Sequence, residues 1–246
     1  MVEPRPHVVH EDEVPVHRFH DDSGTYRVPI DPTVGSLNLA QVIARFDPGA
    51  SSPIERKAQE EIVFVIGGWG TAVVEDLEFD LEPGTAALVP PGAAGSLSNS
   101  GPDPLSLVIV VSPPFAVTIP PSPGRAETAP ASLHERDQEN LPAGEDRYFR
   151  LLIDPRHGAK HVTQFVGFID RSRAPFHTHT YEEAIYILEG EGIVHIEGQA
   201  NTPIRPGTSI FLPPGTPHCL ENASDGVLKL VGVFSPPGSP ASKMDD

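Results

Sequence analysis

The run PFHTHTYEEAIYILEG, residues 175–190, decides how the chain is read. His177 and His179 stand two apart, Glu183 follows four residues later and Gly190 seven after that. Residues i and i+2 of an extended segment share a face, so the two histidines project together. Ala184 to Leu188 is apolar, β-branched or aromatic and runs into Gly190-Glu191-Gly192, a strand ending in a turn. Glu183 has the parity of the histidines and joins their face. A second cluster lies downstream at Gly207, Pro213-Pro214-Gly215, His218 and Asn222. Ile204 to Leu212 returns as a strand, and His218 falls just past its closing turn, where a neighbouring strand can bring it to the first three side chains.

Three imidazoles and one carboxylate form a ligand set for a divalent transition metal. On an octahedral ion they leave two positions for water, substrate or dioxygen. Two histidines beside prolines usually belong to a polar surface loop. Four ligand-type residues in two clusters framed by Gly and Pro are a much more specific signal.

The two clusters resemble the two cupin motifs, G-x5-H-x-H-x3,4-E-x6-G and G-x5-P-x-G-x2-H-x3-N. In the first, Arg171 stands where the leading Gly falls, and His177, His179, Glu183 and Gly190 match. In the second, Gly207, Pro213, Gly215, His218 and Asn222 all match. The resemblance implies a jelly-roll β-barrel with His177, His179, Glu183 and His218 as ligands of one Fe, Mn, Ni or Zn per chain. By parity and position the candidates to line its pocket are Arg150, Gln164, Phe168, Phe176, Ile185, Ile187 and Phe211. Each of these is also readable as barrel packing.

The same pattern occurs earlier in weakened form. An offset of 123 links Arg27 to Arg150, Glu60 to Glu183, Gly84 to Gly207 and Asn99 to Asn222. It also links Pro90-Pro91-Gly92 to Pro213-Pro214-Gly215, and no gap is needed from Arg27 through Pro114. The chain reads as an all-β protein of two tandem cupin barrels. The expected boundaries are 1–118 for the first barrel, 119–146 for a Pro-rich linker and 147–246 for the second. At this offset His177 maps to Ile54, His179 to Arg56 and His218 to Gly95, so the first barrel has lost its ligands. Its expected role is to pack against the second, with a small-ligand pocket at Arg56 and Glu60 as the alternative. The first twenty-odd residues read as irregular, and Thr128 to Glu139 as room for one short helix.

Composition narrows the partners. A net charge of −17 argues against nucleic acid and anionic membranes. No apolar run approaches the roughly 18 residues of a membrane helix. The single cysteine, Cys219, allows no intrachain disulfide, and a cytoplasmic location is the simplest expectation. His157, His161 and His195 are weak candidates for the pocket, His195 being expected to face outward. The resemblance is to metal-dependent bicupins: quercetin dioxygenases share the ligand set, and ureidoglycine aminohydrolases keep their site in the second barrel. It implies a dioxygenase-type oxidoreductase acting on a small molecule. The alternatives are a non-redox isomerase, lyase or hydrolase, or a ligand-binding bicupin without catalysis. A homodimer is compatible with it.

Overall fold

The computed structural model describes residues 3–18, 23–54, 58–114, 126 and 128–241. The strands of the first half are β1 (His7–His10), β2 (Gly24–Ile30), β3 (Ala40–Phe46), β4 (Ser51–Ile54), β5 (Glu60–Gly67), β6 (Gly70–Val74), β7 (Leu77–Leu81), β8 (Thr85–Val89), β9 (Gly95–Ser98) and β10 (Leu105–Ser112). Those of the second are β11 (Ala131–His134), β12 (Leu141–Pro142), β13 (Arg147–Leu151), β14 (Thr163–Ile169), β15 (Glu182–Glu189), β16 (Gly192–Ile196), β17 (Thr202–Ile204), β18 (Thr208–Leu212), β19 (His218–Asn222) and β20 (Leu228–Ser235). Only short 3₁₀ turns break the strands, and among the described residues no helix is long and apolar enough to cross a membrane.

The two large sheets run β11-β8-β5-β10-β3-β2 and β1-β18-β15-β20-β14-β13-β12. Each faces a small one, β4-β9-β6-β7 in the first half and β17-β16-β19 in the second. Ala72, Val74, Leu97 and Phe46 fill the first barrel, while Val194, Ile196, Phe149 and Phe165 fill the second. A third core lies between the two large sheets and draws on both halves: Ile43, Phe64 and Val108 meet Val166, Tyr186, Phe211 and Val231. The barrels are therefore docked through an apolar interface, as two sheets each with two apolar faces require.

Two segments depart from expectation. His7–His10, in a stretch read as irregular, is a strand that pairs with β18 of the second barrel. Ala131–His134, read as linker or helix, is a strand that pairs with β8 of the first. Each half thus covers an exposed sheet edge of the other, which an unpaired edge needs. The same clasp locks both arms. His10 Nε2 donates to Pro206 O and His134 Nε2 to Pro83 O, each at 3.0 Å. Their Nδ1 atoms accept from Asp12 N and Arg136 N, which fixes the tautomer. Four-residue strands with distant partners leave too little periodicity to be read locally.

The repeat itself contains a slip. Glu60 pairs across from Ser112, and Glu182, not Glu183, pairs across from Ser235. The structural counterpart of Glu183 is therefore Glu61. One extra residue falls between Ile54 and Glu60 in the first copy, a stretch whose Arg56 lies outside the described residues. Glu60 and Glu182 share a different task. Glu182 accepts from Leu37 N at 2.7 Å, Asn38 N at 2.9 Å and Ser36 Oγ at 3.0 Å. Glu60 accepts from Lys160 N at 2.6 Å and His161 N at 3.2 Å. The two buried carboxylates cross the interface in opposite directions and hold the barrels together, so Glu60 is not the base of a separate ligand pocket.

Candidate metal centre

The motif residues outside the ligand set explain how the ligands are held. Gly215, at φ 75°, donates its N–H to His179 O at 2.7 Å, so the Pro-Pro-Gly turn fixes the backbone beside that ring. His177 and His218 exchange backbone hydrogen bonds, both at 3.0 Å. This two-residue bridge holds the histidine segment beside β19, while β15 begins only at Glu182. Asn222 donates to Ile169 O and Gly226 O at 2.9 and 2.7 Å, tying β19 to the end of β14. Asn99 repeats this in the first barrel with Phe46 O and Asp103 O.

Above this frame His177, His179 and His218 converge, each offering a ligand nitrogen, all within 4.8 Å of one another. His177 Nδ1 lies 3.2 Å from Pro175 O and His218 Nδ1 2.9 Å from Thr216 O. Donation from Nδ1 leaves Nε2 of each ring to face the centre, the arrangement that orients metal-ligating imidazoles. Glu183 Oε2 sits 3.3 Å from His218 Nε2 and 3.9 Å from His179 Nε2. The His179 ring stacks on Tyr181 at 4.9 Å and 13° and is flanked by Phe234 at 5.2 Å.

Electrostatics suit a cation. Burial, with the neighbouring His218, pushes the His177 imidazole down to about 4, so it is neutral near pH 7. Burial opposes the charge of Glu183, yet the His218 hydrogen bond and the three imidazoles hold its carboxyl below the usual range. Burial likewise opposes charge on His218, and the Glu183 carboxylate outweighs it, raising that imidazole. Among the described residues, the buried Glu183 Oε2 has no partner beyond the imidazoles of His218 and His179. A buried carboxylate oxygen with incomplete partners, among three oriented imidazoles, fits a divalent transition metal on donor chemistry alone.

Among the described residues, the first barrel has no ligand side chain at the places matching His177 and His218. Ile54 pairs with Gly95 as His177 pairs with His218. Ile54 is buried in the barrel core, and a Cβ on Gly95 would come within 1.7 Å of Val73 O. No ligand side chain fits at Gly95 without moving the backbone.

The histidines and Glu183 open on a cavity of about 100 Å³. Of the pocket candidates, Ile185 lines it and its neighbour Ile187 shares the barrel core. Phe168 also lines it, while its ring stacks on Tyr148 at 4.5 Å in the core between the barrels. Phe211 is wholly in that inter-barrel core. Gln164 is buried, shares the parity of Val166 of the inter-barrel core and does not line the cavity. Arg150 also points outward, bonding Asn140 Oδ1 at 2.7 Å and Glu135 O at 3.3 Å. Phe176 is 47% exposed, with the Arg173 guanidinium 5.4 Å from its ring. The parity was misread for a physical reason: every residue of β14 is buried, so apolar alternation reports neither face.

The residues that do line the cavity include Phe149, Phe165, Phe234, Arg147 and Pro240. His195 is buried, not outward in solvent, between Asn201 Oδ1 at 2.8 Å and Glu221 Oε2 at 2.7 Å. His157 pairs with Asp154 at 3.0 Å, and the His161 backbone joins the Glu60 clasp. None of these three lines the cavity. Cys219, on the face opposite His218, is fully buried.

Two segments, residues 42–111 and 169–234, match the family model of the cupin domain and together make up more than half the chain. The chain belongs to the cupin family. It is a bicupin, and among the described residues the histidines that cluster as candidate ligands lie in the second barrel. Over 69 residues it is 38% identical to the uncharacterized protein MJ1618 of Methanocaldococcus jannaschii, covering 28% of this chain and 54% of that relative. Over 70 residues it is 31% identical to an L-ectoine synthase of Aliivibrio fischeri, covering 28% of this chain and 55% of the relative. The chain spans about half the length of these curated relatives. Among solved structures, a putative glyoxylate induced protein from Pseudomonas aeruginosa superposes with a TM-score of 0.79 at 17% identity, covering 96% of this chain and 90% of that one. Oxalate decarboxylase from Bacillus subtilis superposes with a TM-score of 0.77 at 15% identity, covering 97% and 78%. At such identity the likeness is one of fold.

Proposed function

We propose that this bicupin is a metal-dependent enzyme whose active site is the second barrel, acting on a small organic molecule as a dioxygenase-type oxidoreductase. The observation that carries the reading is the convergence of His177, His179, His218 and Glu183 at a small, mostly apolar cavity. A bound divalent transition metal would supply Lewis acidity and an electron path between substrate and dioxygen. The chain's own residues do the rest. Phe149, Phe165, Ile185, Leu230 and Phe234 keep bulk water from the reacting end. Pro175 O and Thr216 O hold the His177 and His218 imidazoles in one tautomer. Tyr181 donates to Ser239 O at 2.7 Å, and its phenol, pushed up to about 12 by burial and Glu183, keeps its proton.

Redox chemistry is favoured over proton shuttling by the cavity lining. Among the described residues that line it, Glu183 is the only carboxylate and there is no lysine. Glu182, next in the chain, faces the other barrel. An isomerase or hydrolase commonly uses a placed acid or base besides its ligands, and Tyr148 is the lining residue that could supply one. The similarity to an L-ectoine synthase supports an enzymatic role and favours the non-redox class as the second reading. The test is reconstitution with Mn, Fe, Ni and Zn in turn, followed by a screen of small organic compounds with dioxygen uptake recorded. Turnover coupled to dioxygen is expected. Turnover that continues unchanged under nitrogen would move the protein to the non-redox class.

A further inference from the structure

Arg147 opens β13 and pairs with Ile169 of β14. It has the parity of Phe149, whose ring lies in the second barrel's core, and it lines the same cavity as the three histidines. Its side chain is 13% exposed. A guanidinium does not lose its charge, and burying one is unfavourable unless it is matched. The matching here is partial. Nη2 donates to Ala143 O at 3.3 Å, and Nε lies 3.6 Å from Asp146 Oδ1 with no hydrogen bond of its own. Asp146 is itself 39% exposed. Gly144 lets the backbone lie against the guanidinium: a Cβ there would come within 2.7 Å of Nη2. Among the described lining residues, Arg147 is the only arginine or lysine.

The duplication supplies an internal control. Gly24 pairs with Phe46 as Arg147 pairs with Ile169, so Gly24 is its counterpart. A side chain at Gly24 would strike the Phe46 ring and Tyr26 Oη, each 2.7 Å from its Cβ. The half that carries Ile54 and Gly95 in place of two histidines therefore also lacks the arginine. Arg150, which holds the fold by bonding Asn140 and Glu135 O, does keep its counterpart, Arg27. The arginine that is kept in both copies is the structural one. The arginine found in one copy accompanies the ligand set.

We infer that Arg147 anchors a carboxylate of the substrate, so that the second barrel takes small organic acids with the acid group at β13 and the reacting carbon toward the histidines. This rests on the reading of that barrel as a metal-dependent substrate site. Guanidinium and carboxylate match as a two-point hydrogen-bonded pair, and water exclusion strengthens it. The free Nε and the exposed, loosely paired Asp146 leave Arg147 able to accept the exchange.

The test uses the full chain, metal-free and metal-loaded, titrated calorimetrically with propionate and with its neutral isostere propionamide. Metal content and circular dichroism are recorded for every variant. Propionate should bind at least about tenfold more tightly than propionamide, and Arg147→Gln should weaken it roughly 10- to 100-fold with metal content unchanged. Arg147→Lys keeps the charge but not the fork, and should lose several-fold; it decides the matter if the glutamine variant does not fold. Unchanged propionate affinity in a folded variant, equal binding of the amide, or binding of inorganic phosphate in preference to propionate overturns the assignment. A wild-type chain that takes up no metal fails the proposed function instead, and the metal-free titrations then decide Arg147 alone.

Discussion

At the scale of single residues, His177, His179, Glu183 and His218 meet at one cavity as candidate metal ligands, in a frame of turns set by Gly, Pro and Asn. Replacing His179 or His218 by Ala is expected to abolish metal uptake while far-UV circular dichroism is unchanged. The stabilisation given by metal, about 2.7 kcal/mol at a hundredfold excess over Kd, should disappear from denaturant unfolding in the same variants. Collapse of the secondary structure would make the site structural instead. Arg147 and the clasp carboxylates were not legible, because their meaning lies in what they face. Glu182→Ala leaves Leu37 N and Asn38 N without acceptors in a buried interface. It should lower stability by about 3 kcal/mol in urea, at 1–3 kcal/mol for each orphaned group. Glu60 makes a pH prediction. Burial pushes its carboxyl above the ordinary value of 4.5, against the pull of the Lys160 and His161 amides. The folded state then binds more protons than the unfolded one, so this carboxyl's contribution falls as pH rises from 4.5 through its folded value. The stability of wild type relative to Glu60→Gln should decline across that window. A flat or rising difference would show that the amides, not burial, dominate.

At the scale of elements, the all-β pattern and its turns followed expectation, while faces and arms did not. β14, β15 and β18 are apolar on both sides because one side fills the barrel and the other meets its twin. With no polar face, parity has no reference, which is why Gln164 and Phe211 were assigned to the wrong side. The one-residue slip that pairs Glu60 with Glu182 was hidden because two adjacent glutamates occupy both sites, Glu60-Glu61 and Glu182-Glu183. The arms β1 and β11 pair only with distant edges. Deleting residues 1–13 removes β1 and also Glu11, which accepts from Tyr186 Oη at 3.0 Å and Arg45 Nη2 at 2.6 Å. The truncated chain should melt several degrees lower, and the uncovered β18 edge should make it aggregate in light scattering. A truncation with unaltered melting and no scattering would show that the arm is dispensable.

At the scale of the whole molecule, two barrels, a shared apolar core, two reciprocal carboxylate clasps and two exchanged strands make one cooperative unit. Chains 1–120 and 121–246 expressed separately should be insoluble or partly folded, and co-expressed they should assemble into a particle that loads metal as the intact protein does. A second half that is soluble, monomeric and metal-loaded alone would show that the interface is not needed. The exchanged first strand also has a consequence in time. β1 is made well before its partner β18, which follows about 200 residues later, a delay of roughly 10–40 s at common rates of synthesis. Throughout that interval β1 has no β18 to pair with, while β11 follows soon after its partner β8. Synthesis therefore lets the β8 edge be covered early and leaves the β18 edge to a strand made long before it.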